Sequence, residues 1–272
     1  MSEEQRFEVG GVDGRSMRVT ALLPEKPRGT VIVCHGFKGF SRWGFFPHLA
    51  AAIADEGLRA IRFDFSGSGV GDDGESFTEE EAFANNTFTR ELEDLDAVEA
   101  DARRRGWLDA PYGLVGHSRG GGTAILHAAG NAGIGALVTL NAISTVVRWS
   151  DPEARAWRER GYTEIVNSRT GQVLRLGTAL LDDVEGGADG ALDIPAAAAR
   201  VKAPWLIIHG GGDTTVPVDD AHRLADAAPD ARLLIIDGAS HTFDITHPMR
   251  VSSPALDLVV SETTEWMRRE LT

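Results

Sequence analysis

The sequence predicts an α/β fold built on a mostly parallel sheet with helices on both faces, and three observations carry that prediction. Short, continuous apolar runs recur at residues 31–34, 60–65, 113–115, 136–140, 205–208 and 233–236, as expected of strands buried on both faces. Helix-like segments at 46–55, 90–105, 123–129, 218–228 and 253–270 lie between or after them, and such alternation means parallel strands with crossover helices. The third observation is Gly116-His117-Ser118-Arg119-Gly120, which follows one apolar run directly. It has the form of a sharp strand-to-helix turn with a serine at its apex.

The elements follow in order. Residues 6–9 and 15–23 read as strands joined by the turn Gly10-Gly11-Val12-Asp13-Gly14, an N-terminal antiparallel hairpin that opens the sheet. The apolar runs and helices then alternate until residue 140, after which the chain carries about fifty residues that a simple crossover does not need. Within this insertion, at about 142–194, Asp151 reads as an N-cap with Pro152 at the first helical position. Residues 162–166 and 172–176 flank a turn ending in Gly171, the pattern of a β-hairpin, and 178–184 reads as a short helix before Gly186-Gly187-Ala188-Asp189-Gly190. The insertion reads as a small helix-plus-hairpin lid, the alternative being an edge extension that stabilises the sheet. With 272 residues and no Pro/Gly/Ser linker, residues 1–272 are expected to form one domain carrying this insertion.

Composition narrows the function classes. The formal net charge is −14, and such a surface repels phosphate backbones and anionic lipids, so neither nucleic acid nor a membrane is expected as a partner. The start of the chain has no basic and apolar leader pattern and no apolar run approaches membrane length, so a soluble, cytoplasmic protein is expected. The single cysteine, Cys34, sits inside an apolar run, where it reads as a small buried hydrophobe rather than a nucleophile.

A serine hydroxyl attacks a carbonyl only with help from a general base that a carboxylate orients. In a fold of this kind the order along the chain is serine, acid, histidine. Asp213 lies in the loop after the 205–208 strand and His241 in the loop after 233–236, so Ser118, Asp213 and His241 are the candidate catalytic residues. His209, His222 and His247 compete with His241, and Asp237 competes with Asp213 but stands close to His241 in sequence. Backbone N–H groups for a developing oxyanion are expected from Arg119, just after the serine, and from Phe37 in the loop His35-Gly36-Phe37-Lys38-Gly39-Phe40. The string His209-Gly210-Gly211-Gly212 comes after the serine in the chain, which is the wrong place for that task. The stretch 63–71 lacks dinucleotide-loop spacing, and no HExxH or CxxC string is present, so no cofactor and no metal is expected.

With these residues in place the chain resembles the α/β-hydrolase superfamily over nearly its full length, from the loop at His35 through Asp64-Phe65-Ser66-Gly67-Ser68-Gly69 to His241. The His35-Gly36-Phe37 loop, the 63–69 stretch, the Gly116 to Gly120 turn and the insertion together look like bacterial carboxylesterases of the cinnamoyl or feruloyl type, bordering dienelactone-hydrolase-like and prolyl-oligopeptidase-like branches. Ser118 departs from the cysteine nucleophile usual in dienelactone hydrolases. The resemblance implies hydrolysis of a small-molecule ester, with the insertion overhanging the serine and Trp149, Trp157 and Tyr162 facing the pocket. A serine peptidase or amidase of the same fold is the first alternative, with Glu153, Glu159 and Glu164 available to hold an amino terminus. A non-catalytic, hydrolase-like binding protein is the second.

Overall fold

The computed structural model describes residues 2–11, 14–108, 111–187 and 190–272. Val12 and Asp13 of the expected hairpin turn, and Ala188 and Asp189 of the glycine-rich stretch, lie outside the described residues. The N-terminal hairpin pairs β1 (Ser2–Gly10) with β2 (Ser16–Pro24) in antiparallel register, from Ser2 opposite Pro24 to Gly10 opposite Ser16. β2 then pairs antiparallel with β4 (Arg59–Phe63). From β4 onward the sheet is parallel, through β3 (Thr30–Cys34), β5 (Tyr112–His117), β6 (Ile134–Leu140), β9 (Trp205–Gly210) and β10 (Arg232–Ile236). The spatial order is β1-β2-β4-β3-β5-β6-β9-β10, the mostly parallel sheet that the sequence predicts.

Alternation along the central strands divides the core into two layers, because successive side chains point to opposite faces. Ile32, Leu114, Leu137 and Ile207 pack on one face with Leu95 and Val98 of α3 (Phe88–Arg104), Ile125 of α4 (Arg119–Ala128) and Leu224 of α8 (Val218–Ala227). Val31, Val115, Val138 and Ile208 pack on the other with Leu49 and Ile53 of α1 (Phe46–Asp55) and Val259 and Met267 of α9 (Pro254–Leu271). Each such side chain contributes roughly 1.5–3 kcal/mol by leaving water, so the sheet is a rigid platform for the loops at its strand ends. No helix among the described residues is long and apolar enough to cross a membrane.

Two short helices, α2 (Glu80–Ala84) and α7 (Ile194–Ala198), are not anticipated by sequence periodicity; five residues give too few turns for a pattern. The insertion between β6 and β9 holds α5 (Asp151–Arg160), the antiparallel pair β7 (Tyr162–Val166) and β8 (Val173–Gly177) as a separate sheet, and α6 (Ala179–Gly186). One boundary shifts. Ser150 rather than Asp151 caps α5, because its backbone is extended and its N–H and hydroxyl both donate to the Glu153 carboxylate, a capping box that puts Pro152 at the second helical position. The insertion is tied to the main body by Asp183, whose carboxylate accepts the amides of Phe88 and Thr89 at the start of α3, at 2.9 and 3.2 Å.

Candidate active site

β5 ends at His117 and α4 begins at Arg119, so Ser118 alone makes the turn, with φ 57° and ψ −122°. A side chain at such a backbone position is strained and persists only where surrounding contacts over-determine it. Here the Ser118 N–H donates to Leu140 O at 2.9 Å, and its own carbonyl accepts the amides of Gly121 and Gly122 at 3.0 and 3.2 Å. Neighbouring glycines permit the close approach. A Cβ on Gly36 would stand 2.8 Å from Ser118 Cβ, and one on Gly120 would stand 2.2 Å from the His35 carbonyl oxygen. The loop after β3 is thereby pressed against both the serine and the start of α4.

The His241 ring bridges Ser118 and Asp213. Its Nε2 lies 3.0 Å from Ser118 Oγ, and its Nδ1–H donates to Asp213 Oδ2 at 2.7 Å. The other Asp213 oxygen accepts the amides of Thr215 and Val216 at 2.8 and 2.9 Å. Burial opposes the Asp213 charge, but the bond from His241 and these two amides outweigh it and hold the carboxyl below its ordinary range. The acid is therefore ionised, and with the proton on Nδ1 the imidazole leaves Nε2 as an acceptor facing Ser118 Oγ.

The rival residues go elsewhere. Asp237 is exposed after β10, and His222 is exposed on α8. His247 accepts the Gly44 amide at 2.9 Å and stacks on Trp43. His209 is buried, donates from Nε2 to Val216 O at 2.9 Å, and so braces the loop that carries Asp213.

Two further residues hold the histidine, and neither is marked for that task in the sequence. The His241 carbonyl accepts His117 Nε2–H at 2.9 Å and Asn141 Nδ2–H at 2.7 Å, while Asn141 Oδ1 accepts the Gly210 amide at 2.7 Å. Asn141, at φ 48°, thus joins the ends of β6 and β9 to the His241 loop. Its available signal was an asparagine, tolerant of left-handed backbone, directly after an apolar strand. Burial, with the adjacent His241 contributing, pushes the His117 imidazole down to about 3, so it stays neutral.

The loop facing the serine is equally fixed. His35 is buried, donates from Nδ1 to Gly36 O at 2.9 Å, and accepts the Phe65 amide on Nε2 at 3.1 Å. The Gly36 carbonyl also accepts the Gly39 amide at 3.0 Å. Because the peptide is planar and trans, fixing that carbonyl fixes the Phe37 N–H in the opposite direction. Arg119 occupies the first turn of α4, where an N–H has no acceptor within the helix. Its guanidinium turns to Glu91, 2.8 Å away in a buried ion pair, and lies 4.0 Å over the Phe88 ring. Glu91 also accepts from Asn86 and Thr123, both at 2.9 Å. In the sequence Glu91 is one acid among several on a helix-like segment and carries no signal of this role.

Above Ser118 opens a cavity of about 960 Å³ lined by Phe37, Ser118 and His241 below and by Trp149 and Trp157 from the insertion. The two indoles meet edge to face at 5.4 Å, and Trp157 Nε1–H donates to Leu176 O at 2.9 Å. Phe88, Ile143, Leu176 and Leu180 supply much of the remaining apolar wall. Tyr162 is not among the lining residues. Its ring lies instead under the guanidinium groups of Arg160 and Arg175, at 4.2 and 4.6 Å, which corrects its expected place in the pocket.

Among the described residues, one group has metal-ligand spacing, Asp96, Glu99 and His127, at the end of α4 away from Ser118. Its atoms are engaged with one another and with Tyr112, Asn131 and Arg103. Burial opposes the Glu99 charge, yet hydrogen bonds from His127, Arg103 and Tyr112 hold its carboxyl down at about 2.

Comparison with known proteins adds the family context. Residues 25–170 match the family model described as serine aminopeptidase, S33. The non-heme chloroperoxidase CPO-A1 of Kitasatospora aureofaciens is 27% identical over 226 residues, 70% of this chain and 77% of that protein. RutD of Pseudomonas savastanoi pv. phaseolicola is 34% identical over only 71 residues, so the chain spans 27% of that relative's length and 26% of its own is matched. Among solved structures, Est1E from Butyrivibrio proteoclasticus superimposes with a TM-score of 0.73 at 20% identity, covering 97% of this chain and 98% of that one. At that identity the likeness speaks to the fold, which is that of the α/β-hydrolases.

Proposed function

The chain belongs to the serine aminopeptidase S33 family of α/β-hydrolases, and from that premise we propose that it is a serine carboxylesterase acting on small to medium acyl or aryl esters. The observation that carries the reading is the alignment of Ser118 Oγ, the His241 ring and Asp213 at 3.0 and 2.7 Å beneath an apolar cavity. In this reading Ser118 attacks the ester carbonyl while His241 takes its proton at Nε2. Asp213 stabilises the imidazolium, and the N–H groups of Phe37 and Arg119 hold the oxyanion. His241 then protonates the leaving alcohol, and a water activated by the same nitrogen releases the acid from the acyl-enzyme. The insertion acts as the lid, with Trp149 and Trp157 shaping the acyl pocket.

A second reading, hydrolysis of an amide or peptide, draws on the family's description and on Glu153 and Glu164 among the cavity-lining residues. Both carboxylates are already engaged, Glu153 by Ser150 and Glu164 by Arg160 at 2.8 Å, which favours the ester reading. Matched aryl esters and anilides of one acyl group discriminate the two. The ester reading expects turnover of the ester that is lost in Ser118→Ala with the far-UV spectrum unchanged. Preferential cleavage of the anilide would overturn it in favour of the amide.

A further inference from the structure

Four Lys and Arg residues line this cavity, and two of them are neutralised by carboxylates. Arg119 meets Glu91 at 2.8 Å and Arg148 meets Asp220 at 3.5 Å. Lys38 and Arg169, which both line the cavity, are different. Lys38 Nζ donates to the Val166 carbonyl at 3.2 Å, and Arg169 donates to the Glu75 carbonyl at 3.2 Å. Among the described residues no carboxylate lies within 4.0 Å of either group. Two cations without a carboxylate partner thus share one cavity in a chain with 41 acidic residues against 27 basic ones.

We propose that the part of the cavity bounded by Lys38, Arg169 and His247 binds a carboxylate carried by the ester substrate. The inference rests on the esterase reading and specifies its substrate class. Lys38 follows Phe37 directly, so an anion held there lies close to a carbonyl on Ser118. Asn167 and Ser168, also lining the cavity, add polar groups beside Arg169. The acids in reach are accounted for: Glu75 lies 3.5 Å from Arg42 and 3.8 Å from His247, and Glu153 and Glu164 hold the partners already named. Two observations on charge agree with the placement. Burial lowers the Lys38 ammonium, as expected of a cation lacking a counter-charge, and burial together with the Arg169 charge lowers the His247 imidazole. Charges at such a rim act mainly on specificity and approach.

The test compares kcat/KM for paired esters in which the charge sits on one portion or the other. One pair is phenyl hydrogen adipate and its terminal amide; the other is para-carboxyphenyl butyrate and para-carbamoylphenyl butyrate. The inference expects a preference for the carboxylate of about tenfold in one pair, the size of one charge-assisted hydrogen bond, and the responding pair identifies the portion that carries the anion. Arg169→Gln, at an exposed position, should lower that ratio, and the Lys38→Gln, Arg169→Gln double variant should bring it near one. Arg158→Gln, which removes a charge paired with Asp182 and Glu185 on α6, should leave the ratio standing. No carboxylate preference in the unaltered protein, or a ratio that survives the double variant, overturns the proposal while the esterase reading stands. If no ester turns over, the esterase reading fails instead. Calorimetry of adipate and para-hydroxybenzoate against their amides then decides the anion site. Tighter binding of an acid, lost in Arg169→Gln, supports it, and equal binding of acid and amide overturns it.

Discussion

Asp213 and His241 meet at 2.7 Å across two loops that belong to different strands, with the aspartate side chain fully buried and the imidazole 18% exposed. A carboxylate so placed has one use in the proposed chemistry, to fix the tautomer and steady the imidazolium. Asp213→Asn keeps the shape but presents the wrong hydrogen-bonding groups to Nδ1. Its kcat should fall by about 10⁴ with KM little changed, read from steady-state kinetics on an aryl ester. A fall below tenfold would remove Asp213 from the mechanism.

Asn141 and His117 hold the His241 carbonyl and make no contact with the serine hydroxyl. Asn141→Ala leaves that carbonyl only the bond from His117, frees the Gly210 amide and places a less tolerant residue at φ 48°, so stability should drop by about 1–3 kcal/mol in denaturant titration. Because the histidine loosens, kcat should fall more than KM rises. A change in stability alone, with kcat intact, would make the role purely structural.

Acid should destabilise the fold in a defined window. Burial pushes His117 down to about 3 and lowers His35 and His209 as well. All three take up a proton in the unfolded chain below the ordinary value of about 6.5 and in the folded protein only at lower pH, His117 not until about 3. The unfolded state then binds more protons, so stability is full above about pH 6.5 and is lost as pH falls toward 3. Each such histidine adds at most about 1.4 kcal/mol per pH unit to the slope. Urea titrations at steps between pH 7 and 4 should show the loss, and His117→Gln should flatten it. A stability flat across that range would contradict the neutral burial of these rings.

Trp157 and Tyr162 should part company. Trp157→Ala removes a buried indole and its bond to Leu176, a loss of about 3–5 kcal/mol of local packing, and should blur discrimination among acyl chains of different length. Tyr162→Ala should leave the acyl profile unchanged. Rates across a series of aryl esters measure both. An altered profile in Tyr162→Ala would return that ring to the pocket.

The central strands were legible because burial on both faces demands unbroken aliphatic runs, and Asp213 and His241 were legible because each follows such a run. α4 begins at Arg119 and runs through three consecutive glycines. Gly120, Gly121 and Gly122 are poor helix formers, yet the His35 carbonyl occupies the space where a Cβ on Gly120 would stand, so packing overrides propensity. Asn141, His117 and Glu91 were illegible for a different reason. Their tasks depend on which loops converge in space, and a single chain read in order does not carry that. Tyr162 was expected in the pocket from the family resemblance, which does not say how the β7–β8 hairpin sits over it; Thr163, Glu164 and Ile165 line the cavity and Tyr162 does not.

The account turns on Ser118 being a nucleophile activated by His241, and intact-protein mass spectrometry with an aryl fluorophosphonate tests it most directly. One adduct per chain is expected, mapped by peptide analysis to Ser118, absent in Ser118→Ala and formed far more slowly in His241→Ala. No adduct, or an adduct on another residue that persists in Ser118→Ala, would contradict it.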